Sequence, residues 1–148
     1  MIRRMQQGDW ESYRALATEF YSTDAIITKP DETLFAATFQ EMMQRDTYLE
    51  GYILEEDNHC AGYAILAKSF SPELGGMMLW VDELYVRPAF RSNGLGSQLF
   101  DFVQDRFGHR AKRIRLEVDT DNTKAISLYH NLGFEVLPYQ QMTLDPSA

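Results

Sequence analysis

The sequence has one cysteine, too few cations for its acids, and no long apolar run. Cys60 lacks a partner for an internal disulfide, and His59, His109 and His130 are scattered without zinc-ligand spacing. Neither cross-links nor a metal is therefore expected to hold the fold. The longest apolar run, Met77 to Val81, is too short for a membrane span. At the start of the chain Arg3 and Arg4 run into Gln6, Gln7, Gly8 and Asp9, so a secretory leader is not expected either. These absences point to a reducing, cytoplasmic setting and no membrane partner. With 14 Lys and Arg against 22 Asp and Glu, the formal net charge is −8. That balance opposes a nucleic-acid partner and favours a cationic small molecule, although solubility alone also accounts for it.

What is present is a folding composition. The hydrophobic share of 45% and aromatic share of 13% lie outside the range of disordered chains. At 148 residues the chain is expected to be a single domain, 1–148. Ile2 to Met5 reads as a short strand. Asp9 is placed to cap a helix with Trp10, Tyr13, Leu16 and Phe20 on one face. Pro30-Asp31 opens a second helix in which Leu34, Phe35, Phe39, Met42 and Met43 recur at helical spacing. Tyr48–Glu55 and Cys60–Lys68 are strand-like, with Glu56-Asp57-Asn58-His59 between them as a hairpin signal. Met77–Val86 reads as a central strand with an acidic interruption, stopped by Pro88. Leu95, Leu99, Phe102, Val103 and Phe107 define a third helix ending at Gly108. Ile114, Leu116 and Val118 alternate as a strand, and Asp121-Asn122 starts a fourth helix stopped by Gly133. Phe134–Leu137 and Gln140–Leu144 read as two final strands.

The most informative stretch runs from Val81 to Ser97, a strand feeding a glycine-bearing turn that opens a helix. The first turn of a helix leaves backbone N–H groups unpaired at the positive end of its dipole, so amides around Gly94, Leu95, Gly96 and Ser97 can converge on a phosphate. Glycine removes the Cβ that keeps a ligand off the backbone, and Arg91 can add a charged contact. A P-loop needs Lys then Ser or Thr after its last glycine, whereas Gly96 is followed by Ser97-Gln98. A dinucleotide fingerprint needs a third glycine, which is missing.

Arg91-Ser92-Asn93-Gly94-Leu95-Gly96 resembles the phosphate-binding signature of the GCN5-related N-acetyltransferases, Gln/Arg-x-x-Gly-x-Gly/Ala. The resemblance implies that amides from Ser92 to Ser97 hold the pyrophosphate of acetyl-CoA, the co-substrate. It also implies that the backbone of Leu84, Tyr85 and Val86 pairs with the pantetheine arm. The implied fold is a mixed α/β, three-layer α-β-α domain with a mostly antiparallel central sheet, whose fourth and fifth strands part to admit the cofactor. A second segment, from Asn122 through Ala125, Leu128 and Tyr129 to Gly133-Phe134, is similar to the family's Asn-x-x-Ala-x-x-Leu-Tyr-x-x-x-Gly-Phe. It nominates Tyr129 as the proton donor to the departing thiolate and Asn122 as a cofactor contact; Asn122 can also cap its helix.

An amine acceptor must lose a proton, and Asp82 and Glu83 interrupt an apolar strand just before Leu84. Alternation sends the two side chains to opposite faces unless a bulge intervenes, and Glu83 is preferred. The Asp-Glu-Leu-Tyr-Val run resembles the diamine and polyamine acetyltransferases of the same family, which implies a primary amine of a small cationic molecule as acceptor. Tyr21, Trp80 and Tyr85 are candidates to line its slot. No metal is implied, and Cys60 is expected to be structural because direct attack in a ternary complex needs no covalent intermediate. Acceptance by a protein N-terminus or lysine, or a non-catalytic acyl-CoA-binding module, is the alternative. A homodimer is compatible with this reading.

Overall fold

The computed structural model describes residues 1–146. By packing, Met1–Glu117 and Val118–Ala148 form two compact units. The first unit contains a five-stranded sheet in the order β1 (Ile2–Arg4), β2 (Leu49–Glu56), β3 (His59–Ser71), β4 (Gly76–Val86) and β5 (Ala111–Leu116). The first four strands are antiparallel neighbours, and β4 and β5 are parallel. A parallel pair needs a crossover, which α3 (Leu95–Phe107) supplies.

Helices cover both faces. On one, α1 (Trp10–Tyr21) buries Tyr13, Leu16 and Ala17, and α2 (Glu32–Gln44) buries Phe35, Phe39 and Met42. The three- and four-residue spacing puts these side chains on single stripes facing Ile53, Tyr63, Ile65 and Tyr85 of the sheet. Each such side chain contributes about 1.5–3 kcal/mol on burial, so Phe39→Ala would loosen both helices at once. The other face packs under α3, whose Phe102 meets Tyr52 with ring centroids 5.0 Å apart.

Local chemistry sets the ends. The Asp31 carboxylate accepts the Thr33 amide hydrogen at 2.9 Å and starts α2. Asp57 and Asn58 take left-handed φ values of 51° and 63°, as a two-residue turn between β2 and β3 requires. Asp9 stands where a cap is expected, yet its carboxylate caps no α1 amide. It accepts instead from the Arg3 guanidinium at 2.8 and 2.9 Å and the Gln6 amide at 2.7 Å, because Arg3 offers it a charged partner.

The second unit contains α4 (Thr123–Asn131), capped by the Asn122 side chain, which accepts the Ala125 amide hydrogen at 3.2 Å. The two final strands expected at Phe134–Leu137 and Gln140–Leu144 do not form among the described residues. Val136, Tyr139, Met142 and Leu144 are 59–91% exposed. Alternation provides a pattern of side chains, but a strand also needs a ladder partner, and Pro138 removes one donor between the two segments.

Candidate active site

The turn before α3 opens a helix whose first amides have no side-chain cap. Pro88–Phe90 forms a single 3-10 turn, Ser92 and Gly94 take left-handed φ values of 68° and 81°, and α3 then begins with no side-chain cap. Both α2 and α4 satisfy an early amide with a side-chain oxygen, whereas α3 presents Leu95, Gly96 and Ser97 without one. A Cβ placed on Gly94 would meet nothing within 4 Å, so the space in front of these amides is open. A pyrophosphate fits there on chemistry as well as space, since unpaired N–H groups and the positive helix end both favour an anion.

The neighbouring side chains are already engaged. Leu95 anchors the helix in the core at 3% exposure and offers the turn only its amide. The Arg91 Nε donates to the Val86 carbonyl at 2.9 Å, with the guanidinium 5.8 Å from the centre of the Tyr85 ring. Asn93 donates to Glu56 at 2.9 Å, which ties the turn to the β2–β3 hairpin.

Strand β4 carries the second half of the site. Its pairing with β5 covers only Met77 to Val81, so Asp82 to Val86 continue without a partner on that side. Along β3 the register moves from Ile65–Glu83 to Leu66–Val81, which makes Asp82 an inserted, bulged residue. Beyond it β4 hugs β3: a Cβ on Gly62 would lie 2.1 Å from the Tyr85 carbonyl oxygen. The bulge therefore coincides with the point where β4 leaves β5, and beyond it Leu84, Tyr85 and Val86 have no β5 partner, the Val86 carbonyl being taken by Arg91. Tyr85 itself is 7% exposed and packs against Phe20, so its ring belongs to the core.

The bulge also gives the two acids different surroundings. Glu83 shares the face of Tyr63, Ile65 and Trp80, under α1 and α2. Its carboxylate accepts a hydrogen bond from the Tyr21 phenol at 2.5 Å and another from the Tyr63 phenol at 2.6 Å. Burial raises the Glu83 pKa, the two phenols oppose this, and the nearby Asp82 charge adds to it; the net direction is upward. No cation pairs with Glu83 among the described residues. Asp82 is exposed as a residue, and partial desolvation of its carboxyl still pushes its pKa up. A carboxylate with raised pKa, fixed by two phenols, is suited to take a proton from an amine.

Tyr129 and Asn122 lie in the second unit. The Tyr129 ring meets Phe134 at 5.8 Å, and burial raises its phenol pKa, which keeps it protonated and able to donate. Burial likewise raises the Cys60 thiol, against a nucleophilic thiolate. Sequence reading missed Tyr63 as a partner of Glu83, since a separation of 20 positions carries no signal of the contact. It also missed Glu50, which is 1% exposed and paired with Arg106, Lys68 and Arg4. The only trace of Glu50 in the sequence is a charge near the start of a strand-like run.

Comparison with known proteins adds the family. An uncharacterized N-acetyltransferase of Bacillus subtilis (strain 168), YhfO, is 32% identical over 84 residues, 56% of each chain. The matched segments span 15% and 56% of the lengths of the curated relatives. Among solved structures, a possible acetyltransferase from Clostridium difficile 630 superposes with a TM-score of 0.84 at 15% identity, covering 100% of this chain and 98% of that one. The aminoglycoside N-acetyltransferase AAC(6')-Iy in complex with CoA superposes at 0.80 with 20% identity, covering 99% and 95%. Both likenesses are of fold. The family match itself covers residues 10–134, both the bulged strand and the glycine-bearing turn included, and the chain belongs to the acetyltransferase (GNAT) family.

Proposed function

We propose that the protein is an acetyl-CoA-dependent N-acetyltransferase acting on a primary amine of a small molecule that arrives as an ammonium cation. The observation that carries this reading is the bulge at Asp82. At this inserted residue the pairing of β4 with β5 stops, Leu84 to Val86 continue without a β5 partner, and Glu83 stands on the face of Tyr21 and Trp80. Acetyl-CoA supplies the activated acetyl thioester. Amides of Ser92 to Ser97 bind its pyrophosphate, with the Arg91 charge beside them, and Leu84, Tyr85 and Val86 receive the pantetheine arm through the backbone. Glu83 accepts the ammonium proton, directly or through a water, and its two phenols keep the carboxylate in one orientation. Asp82, exposed at the bulge, adds negative potential that attracts the cation. By its motif, the Tyr129 hydroxyl donates a proton to the departing thiolate and Asn122 contacts the cofactor. The half-buried, lone Cys60 fits a reducing cytoplasm.

The test has two parts. Calorimetry should show acetyl-CoA binding that Gly94→Val weakens by roughly tenfold or more through crowding of the turn and strain at a left-handed φ, with folding checked by thermal melting. A panel of diamines, polyamines, amino sugars and peptides should then include an acceptor that releases free thiol steadily. Undiminished affinity in the Gly94 variant, or binding with no thiol release from any amine, overturns the corresponding half of the reading.

A further inference from the structure

The arginines of this acidic chain are almost all accounted for. Six pair with carboxylates, and Arg91 and Arg110 donate to backbone carbonyls. Arg113 and Arg115 have neither kind of partner among the described residues, although carboxylates outnumber cations. Both stand on β5, at register positions opposite Met78 and Trp80. The ladders put these positions on the face that carries Glu83: Trp80 pairs with Ala67, and Ala67, Ile65 and Tyr63 alternate onto the face of Glu83 and Tyr85. The Arg115 guanidinium lies over the Trp80 ring, 4.4 Å from its centroid, and the side chain is half-buried.

A guanidinium stacked flat on an indole loses solvent from its face and keeps its edge N–H groups for a planar anion. The neighbour along β4 on the same face is Glu83, roughly 7 Å away by strand rise, and the strand spacing adds about 5 Å sideways. An acid that takes an ammonium group and an unpaired guanidinium thus share one face, on the order of 8 Å apart. We infer that the acceptor is an amine that also carries a carboxylate, with the nitrogen at Glu83 and the carboxylate on the edge of Arg115, backed by Arg113. This rests on the reading of Glu83 as the group that receives the amine. It narrows that reading from cations in general to amphoteric amines, because two unpaired arginines repel a second positive centre at that distance.

The experiment uses a matched pair of probes, 6-aminohexanoate and hexylamine, with the whole chain saturated with coenzyme A. Calorimetry should show tighter binding of 6-aminohexanoate, on the order of tenfold, the worth of one charge-assisted hydrogen bond. Arg115→Gln should bring the two probes to equal affinity, Arg115→Lys should restore part of the preference, and Arg113→Gln should reduce it by a smaller factor. In acetyl transfer the same loss should fall on KM for the carboxylated amine rather than on kcat. Equal binding of the two probes by the unmodified protein overturns the inference. So does an Arg115→Gln variant, folded by thermal melt, that weakens both probes alike, since Arg115 would then act on the cofactor or on Trp80 packing. Because the binding arm does not depend on turnover, a chain that binds with carboxylate preference but transfers nothing sinks the proposed activity and leaves the subsite standing.

Discussion

Glu50 and Glu83 are acids on opposite faces of one sheet, and their surroundings differ in one respect. Glu50 receives hydrogen bonds from Arg106 at 2.7 and 2.9 Å, Lys68 at 2.9 Å and the Tyr52 phenol at 2.5 Å, with Arg4 beside it at 3.3 Å. Burial alone would raise its pKa, but Arg106, Tyr52 and Lys68 outweigh burial, helped by the Arg4 charge, and hold it well below the ordinary range. Glu83 is served by phenols alone, and its pKa goes up. Cations convert a buried acid into a fixed anion that stabilises the fold. Phenols orient the acid without matching its charge, so it stays ready to take a proton.

Exchanging each acid for its amide tests that contrast. Glu83→Gln should cut kcat/KM by about 10²- to 10⁴-fold, the usual worth of a general base, with urea stability changed by less than about 1 kcal/mol because no cation is orphaned. Retained turnover in this variant would break the comparison. Tyr129→Phe should lower kcat about a hundredfold with cofactor affinity kept, as read by single-turnover assay and calorimetry; unchanged kcat would remove the phenol from its role. Glu50→Gln should do the reverse of Glu83→Gln. It should cost about 3 kcal/mol in urea unfolding, the low end for a broken buried pair since Arg106 and Arg4 keep access to solvent, while kcat/KM of the folded fraction stays within a few-fold.

The smallest effects are in pH. A base must be deprotonated, so activity should fall as pH drops through the raised Glu83 pKa, with the acid limb of kcat/KM above the ordinary glutamate value of about 4.3. Tyr63→Phe removes a donor to the charged form and should move that limb to still higher pH. A limb that stays in place would mean that the phenol does not act on Glu83. Stability runs in the opposite sense at Glu50. Its folded pKa is depressed, so its contribution is present above the unfolded pKa and is lost as pH falls toward the folded one. Glu50→Gln should therefore flatten the acid side of the stability curve.

Much of this contrast was invisible in one dimension. The turn at Arg91–Gly96 was legible because such a turn is local, and its glycines and helix start sit within six residues. The two N-terminal helices and the hairpin were legible from periodicity for the same reason. Glu83 could be nominated, but its two phenol partners follow from a bulge that depends on the register of β3 against β4. Tyr63 and Tyr21 reach Glu83 from 20 and 62 positions away, distances over which no spacing rule operates. The final strands misled because Phe134 with Val136, and Met142 with Leu144, alternate as strand residues do, while the ladder that would make them strands is absent among the described residues.

The sequence by itself determined the helices, the hairpin and the turn, since periodicity, capping residues and left-handed glycine are properties of neighbours along the chain. Only the tertiary structure decided which acid is neutralised by cations and which is held by phenols, and which arginines are left without a carboxylate. Those outcomes depend on strand order, register and one inserted residue, and electrostatic environment is a property of neighbours in space.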